Sequence, residues 1–247
     1  MRGVNHLVYA GFDADNSLLI DLRRRLAISR FSAPFAANRD FWLRMIVPLV
    51  LGVAGGSLRI TALHCACVVK DSHGLVLSGP SGAGKSTLAW ALARRGFEFL
   101  SDEWTYFSSH EGKLRAWGLP APLKLLPDAA AFFPELETMQ VGPALNGELA
   151  YEFDPAEMPT VRRADCCVPR QLVFLARCRN SKLSLEEISL QEAMVCLEEG
   201  LLAEEPSAAE SQRTTLRALV GERCALLRHG SSPEALREAL EQFCAQA

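Results

Sequence analysis

The eight residues Gly79-Pro80-Ser81-Gly82-Ala83-Gly84-Lys85-Ser86 constrain this chain more than any other stretch. They fit the spacing G-x-x-x-x-G-K-[ST], with the apolar run Leu75-Val76-Leu77-Ser78 before them and a run rich in Ala and Leu after them. Glycines let the backbone bend until successive N–H groups face one anion. A helix that starts at the same point adds the positive end of its dipole. Lys85 supplies a compact cation for the outer phosphates of a nucleotide, and Ser86 a hydroxyl for Mg²⁺. Thr87 extends the polar edge, so the expected nucleotide-binding set runs from Gly79 to Thr87. A strand, a glycine loop and a helix in that order point to an α/β fold.

The flanking sequence agrees. Arg59 to Lys70 alternates Leu63, Cys65, Cys67 and Val69 on one face, the period of a strand. Asp71-Ser72-His73-Gly74 has turn chemistry, so this strand and Leu75–Ser78 should form a hairpin. Ser86 to Arg95 reads as a helix stopped at Gly96. Phe97 to Ser101 is a further strand, and a right-handed crossover lays it parallel to the strand before the loop. Farther on, Arg170 to Arg177 and Cys224 to Arg228 read as strands. Ser189 to Leu202 reads as a helix with Ser189 and Glu192 at capping-box spacing. Ser232-Pro233 opens a last helix that packs through Leu236, Leu240 and Phe243. Residues 117 to 154 and 204 to 211 read as loops.

The first 58 residues give mixed signals. Val8 to Phe12 and Leu18 to Leu22 read as strands, and Asp40 as the N-cap of a helix. Met45 to Val53 is apolar, but Pro48 and the following glycines favour a buried strand or turn. That run also falls short of the ~20 residues a membrane span requires. The expected organisation is an N-terminal region, 1–58, packed on a core of 59–247 within one continuous domain.

Asp102 and Glu103 follow the strand that comes after the loop's helix. Ligands of open α/β sheets bind at the carboxyl ends of the strands, so the pair should point at the phosphates. One carboxylate can hold Mg²⁺, directly or through water, while the other accepts a proton from an attacking hydroxyl. The expected metal set is Ser86, Asp102 and Glu103, and the expected catalytic set is Asp102, Lys85 and His64. His64 enters by register, because a hairpin centred near residue 72 pairs positions whose numbers sum to about 144, setting His64 opposite Pro80. The bland alternatives are a solvated strand end for the acids and a packed core imidazole for the histidine. His73 sits in the turn, and His6, His110 and His229 carry no such argument. Lys124, Arg162, Arg163 and Arg170 remain candidates for a further cation at a transferred phosphoryl group.

Composition narrows the class. The chain has 26 Lys and Arg against 29 Asp and Glu, so no basic excess invites nucleic acid. Its eight cysteines lack any C-x-x-C spacing and mostly fall in apolar runs. They read as reduced core thiols, with a reducing cytoplasm as the expected compartment. The first residues show no charged start followed by a long apolar stretch, so neither a signal peptide nor a membrane partner is expected.

Taken together, these residues resemble the HPr kinase/phosphorylase family. The match runs through Leu63-His64, the hairpin, GPSGAGKSTLAWALARRG and FLSDEW, over residues 59 to 107. Elsewhere it is weak, at Leu172–Phe174 and between Leu226 and Phe243. The resemblance implies a P-loop core with a mixed sheet, in a fold like that of phosphoenolpyruvate carboxykinase. It implies ATP and Mg²⁺, Asp102 as base toward a protein serine, Glu103 supporting the metal, and His64 as the histidine ahead of the hairpin. Asp-Glu stands where the family usually has two aspartates. The family's Glu-Ile-Arg-Gly signature, tied to phosphorolysis, and its large N-terminal domain are not recognisable, so the resemblance does not by itself carry phosphorolysis or HPr as substrate over to this chain. The shorter chain is more similar to HPr-kinase-related proteins found beside ribosomal-peptide maturation genes, some of which resemble serine kinases of lasso-peptide precursors. Family enzymes form hexamers, which makes a homo-oligomer one option for this chain.

The expected function is transfer of the γ-phosphoryl of Mg-ATP to a serine of a peptide or protein. Two other classes stay open. A small-molecule kinase of the shikimate or gluconate type has the same order of loop, helix, strand and acid, but an all-parallel core. A strand antiparallel to the one before the loop would separate the two. A non-catalytic ATP-binding module that recognises peptides is the third, and the presence of Lys85, Ser86, Asp102 and Glu103 together speaks against it.

Overall fold

Up to residue 30, apolar side chains recur at every second position, and they form a four-stranded antiparallel sheet. In this computed structural model, which describes residues 2–4, 6–178, 182–198, 206–230 and 232–245, the strands are β1 (Arg2–Val4), β2 (Leu7–Gly11), β3 (Ser17–Asp21) and β4 (Leu26–Arg30). Ala10, Leu18 and Ile20 point inward, while Leu7, Tyr9 and Leu19 remain partly in water. The two expected strands are both present, β1 and β4 being additions.

After the short helix α1 (Ala33–Ala37), one helical rod runs over Arg39–Leu58. It comprises α2 (Arg39–Phe41), a π-helical turn at Trp42–Ile46, α3 (Val47–Ala54) and a 3₁₀ turn at Gly55–Leu58. The expectation of a strand or turn over Met45–Val53 is therefore corrected. Pro48 has no N–H to donate, and the turn ahead of it widens into a π-helix instead of breaking. Leu49, Val50 and Val53, at helical spacing, pack on Ala10, Leu18 and Ile20 of the sheet. The N-cap is also corrected, because the Asn38 side chain, not Asp40, accepts the Phe41 N–H. This rod is long and apolar enough to cross a bilayer by length and composition, and 28% of its most apolar window is buried.

The core sheet begins at β5 (Thr61–Leu63), β6 (Ala66–Lys70) and β7 (His73–Ser78). The single strand expected over Arg59–Lys70 is split, since the chain bends at His64–Cys65 and β5 pairs with a different neighbour. The hairpin of β6 and β7 stands. Asp71 and Ser72 both have positive φ, as a two-residue turn with matching twist requires. Helix α4 (Lys85–Ala93) follows the glycine loop, then β8 (Glu98–Ser101), β9 (Thr105–His110) and β10 (Lys113–Gly118). A small three-stranded sheet of β11 (Leu123–Leu125), β12 (Gly142–Pro143) and β13 (Leu149–Phe153) occupies part of the region expected as loops. The chain ends with β14 (Arg162–Arg163), β15 (Cys166–Arg177), β16 (Ser184–Glu187), α5 (Leu190–Glu198), α6 (Pro206–Val220), β17 (Arg223–His229) and α7 (Pro233–Ala245).

Among the described residues these strands make one mixed sheet of ten strands. Strand β6 lies between β7 and β8 and runs antiparallel to both. The expectation that β7 and β8 run parallel holds, although they are not neighbours. On its other side β7 pairs in parallel with β15, and β15 with β17. Alternation sends Leu75, Leu77, Val173 and Leu175 to the face covered by α4 and α7, and Val76, Leu172 and Phe174 to the face covered by α5 and α6.

The expected capping box is present, with Glu192 accepting the Ser189 N–H at 2.9 Å. A loop at 204–211 is not, since residues from Pro206 belong to α6 and bury Ala208, Gln212 and Leu216; residues 204 and 205 lie outside the described set. Four cysteines, Cys65, Cys67, Cys167 and Cys224, are buried, whereas Cys166 and Cys196 are exposed.

Candidate active site

The loop between β7 and α4 owes its shape to glycine. Gly79, Gly82 and Gly84 have φ of 142°, 77° and 91°, a region side chains disfavour. At Gly79 a Cβ would also lie 2.6 Å from the Leu175 carbonyl oxygen on the neighbouring strand. Gly84 is the N-cap of α4, and Ala83 is buried. The Lys85 side chain turns back over the loop and donates to the carbonyls of Gly79 (2.9 Å) and Pro80 (3.2 Å). Burial holds its ammonium below the usual lysine value, against the pull of nearby Glu103. Ser86 and Thr87 are half-buried at the start of the helix, while Pro80, Ser81 and Gly82 are exposed.

Asp102 and Glu103 stand in the turn from β8 to β9, at the same edge of the sheet. Asp102 is 9% exposed, and its Oδ2 accepts the Lys124 N–H at 3.2 Å. Burial pushes its carboxyl up to about 7. The negative charge of Glu103 adds to that rise, while the Lys124 amide and the Ser86 hydroxyl oppose it. Glu103 is exposed. A buried chain of hydroxyls pins the turn. Ser101 and Thr105 meet at 2.6 Å, and Thr105 Oγ1 donates to the Cys65 carbonyl at 3.0 Å. Gly118 completes the support from below, because a Cβ there would fall 1.9 Å from the Leu100 carbonyl oxygen.

His64 sits at the bend between β5 and β6. The hairpin partners sum to 143, from Ala66↔Leu77 to Lys70↔His73, so the expected register is off by one residue. The ring lies against Trp104, with centroids 5.5 Å apart. Partial burial and then the charge of Lys85 hold its imidazole below the ordinary histidine value, so it is mainly neutral at pH 7. The expected catalytic set of Asp102, Lys85 and His64 is thus gathered around one edge.

The candidate cations fare differently. Lys124 contributes its amide to Asp102, but its ammonium is engaged by Glu148 at 2.6 Å and Asn146 at 3.1 Å. Arg163 donates to the carbonyls of Leu119 and Ala121 and pairs with Asp154, so it shapes the loop beside Asp102. Arg162 pairs with Glu98, and Arg170 pairs with Glu222 at the opposite edge.

Two residues at this edge escaped the sequence reading. His229 is buried at the end of β17, with Nε2 3.1 Å from the Ala83 carbonyl. Arg177, at the end of β15, pairs with His229 in the ladder and joins it, Gly84, Thr87, Asp128 and Phe132 around a small cleft. The signal available in sequence was their place at the ends of parallel strands.

Among the described residues no cluster of three or more His, Cys, Asp or Glu is poised for a metal. What the edge offers is two carboxylates and a hydroxyl, an all-oxygen set that suits a Mg²⁺ which keeps waters and phosphate oxygens for its remaining positions.

No family model matches the chain, and no curated protein matches it. Among solved structures it is similar to one described as the HPr(Ser) kinase/phosphatase from Coxiella burnetii, with 12% identity and a TM-score of 0.38, over 75% of this chain and 97% of that one.

Proposed function

We propose that this chain is a kinase that moves the γ-phosphoryl group of ATP to the hydroxyl of a serine in a peptide or protein. The observation that carries the reading is the meeting of the glycine loop and a buried carboxylate at one sheet edge, with Ser86 within influence of Asp102. Loop N–H groups and the start of α4 receive the phosphates. Lys85 exchanges its loop carbonyls for phosphate oxygens and offsets the charge that gathers on the transferred group. The serine oxygen attacks phosphorus in line as the bond to the bridging oxygen breaks and ADP departs. Asp102 takes the serine proton, for which a carboxyl near neutrality is well matched. Ser86 and Glu103 are the residues that would hold Mg²⁺, which shields phosphate charge when bound. The nucleoside is expected to lie past α4, against Thr87, Phe132 and Arg177.

Strand topology favours this reading over a small-molecule kinase. Antiparallel β6 sits directly between β7 and β8, where an all-parallel core would have no such strand. The full acid and lysine set favours it over a binding module. The test is label transfer from γ-labelled ATP with Mg²⁺ to serine peptides and, in parallel, to hydroxylated metabolites. Label on peptides that vanishes with Asp102→Asn supports the proposal. Label on a metabolite alone, or full transfer by Asp102→Asn, overturns it.

A further inference from the structure

Beside Asp102 lies a cleft that the N-terminal rod helps to line. Leu43, Met45 and Pro48 of the rod line it together with Trp104, Pro122 and Leu145, and Asp102 and Glu103 belong to the same lining. The rod is fastened to the core within this stretch and again about two turns farther on. Arg44 pairs with Glu152 of β13, and Gly56 packs so close to α6 that a Cβ there would be 2.9 Å from the Ala208 Cβ. A region that carried no functional signal in sequence therefore borders the carboxylate.

Size and charge decide what the cleft can receive. It encloses about 170 Å³, less than the roughly 300–1,000 Å³ of pockets that engulf small ligands. That is room for a side chain or two of a longer chain laid through it. Each of its cations already holds a carboxylate, Arg44 that of Glu152 and Lys124 that of Glu148, although the buried Arg44 Nε has no hydrogen-bond partner. An acidic neighbour of the acceptor would find both cations engaged and would meet Asp102 and Glu103. An apolar one would cover Leu43, Met45, which is 39% exposed, and Leu145, which is 51% exposed.

Resting on the kinase reading above, we propose that this cleft receives the acceptor as an extended peptide segment whose serine is flanked by a bulky apolar residue, with Leu43, Met45 and Pro48 as the wall that selects that residue. The serine hydroxyl reaches Asp102 while its neighbour sits against the rod. These three residues select and position; they take no part in the proton transfer.

The test uses the full chain and two capped peptides that differ only beside the serine, Gly-Leu-Ser-Leu-Gly and Gly-Asp-Ser-Asp-Gly. Wild type should favour the leucine peptide by at least 10-fold in kcat/KM. Met45→Lys, at a partly exposed position, should invert or abolish that preference chiefly through KM, while binding a fluorescent ATP analogue with wild-type affinity. Leu43→Lys is the second variant, should Met45→Lys lose that affinity. Equal use of both peptides by wild type, or an unchanged preference in a variant that still binds the analogue, overturns the cleft assignment and leaves the kinase reading standing. Transfer to metabolites and to neither peptide overturns both. If no transfer occurs, quenching of tryptophan fluorescence by the leucine peptide in wild type but not in Met45→Lys supports the cleft on its own, and its absence rejects it.

Discussion

The two edges of the core sheet treat charge in opposite ways. At the carboxyl edge Asp102 is 9% exposed and its carboxyl titrates near 7 because burial opposes its charge. Lys85 is 6% exposed and rests on backbone carbonyls. At the amino edge a charge faces water with its partner, Arg170 with Glu222 at 3.2 Å, the Arg170 side chain being 51% exposed. Solvated pairs of this kind contribute little and react with nothing. A buried group whose protonation is finely balanced is costly to fold around, and such groups concentrate where chemistry is done.

The largest expected effect lies at the carboxyl edge. Asp102→Asn keeps the shape and removes the base, so label transfer should fall by about 10²–10⁴-fold with nucleotide affinity retained. Near-normal turnover in that variant would erase the contrast between the edges.

The same substitution has a second, thermodynamic reading. Asp102 titrates at about 7 in the folded chain against 3.8 for the free side chain. The folded state then holds a proton that the unfolded state has lost between those values, so stability falls as pH rises through that window and the penalty is complete above about 7. Asp102→Asn removes the penalty. In EDTA, its unfolding free energy should exceed that of wild type at pH 8 by an amount on the order of a few kcal/mol, and the gap should close near pH 4. A gap independent of pH would place the carboxylate in water, like its counterpart across the sheet.

A smaller effect is expected beneath the acids. Thr105→Val leaves the Ser101 hydroxyl and the Cys65 carbonyl without their partner. Denaturant unfolding should show a loss of about 1–3 kcal/mol, with a fall in transfer as the Asp102 turn loosens. Stability lost without any change in transfer would mean that the hydroxyl chain holds the strands and not the turn.

The smallest effect belongs to the amino edge. Arg170→Ala should change stability by about 1 kcal/mol or less and leave transfer unchanged. A large change in either would show that the solvated edge is coupled to the site.

Local chemistry made much of the core legible. The three glycines of the loop, the Asp71–Ser72 turn, the Ser189–Glu192 capping box and the Leu236–Leu240–Phe243 stripe each depend on residues a few positions apart. The start of the N-terminal rod is legible near Asp40, but its continuation over Met45–Val53 is not, because Pro48 usually ends helices and here the chain absorbs it in a π-helical turn. Helix α6 was missed because its buried face includes Gln212 and Thr215, polar residues that conceal the helical period.

By itself the sequence determined a strand–loop–helix with Lys85 and Ser86 at its turn, a hairpin before it, and an acidic pair one strand later. These follow from backbone geometry and from side-chain spacing along the chain. Only the tertiary structure decided that β6 stands between β7 and β8, that His229 reaches Ala83 across 146 residues, and that Leu43 to Pro48 border the cleft at Asp102. Those juxtapositions depend on the order in which strands join the sheet and on which apolar faces cover one another, and no period or motif in the chain encodes that order.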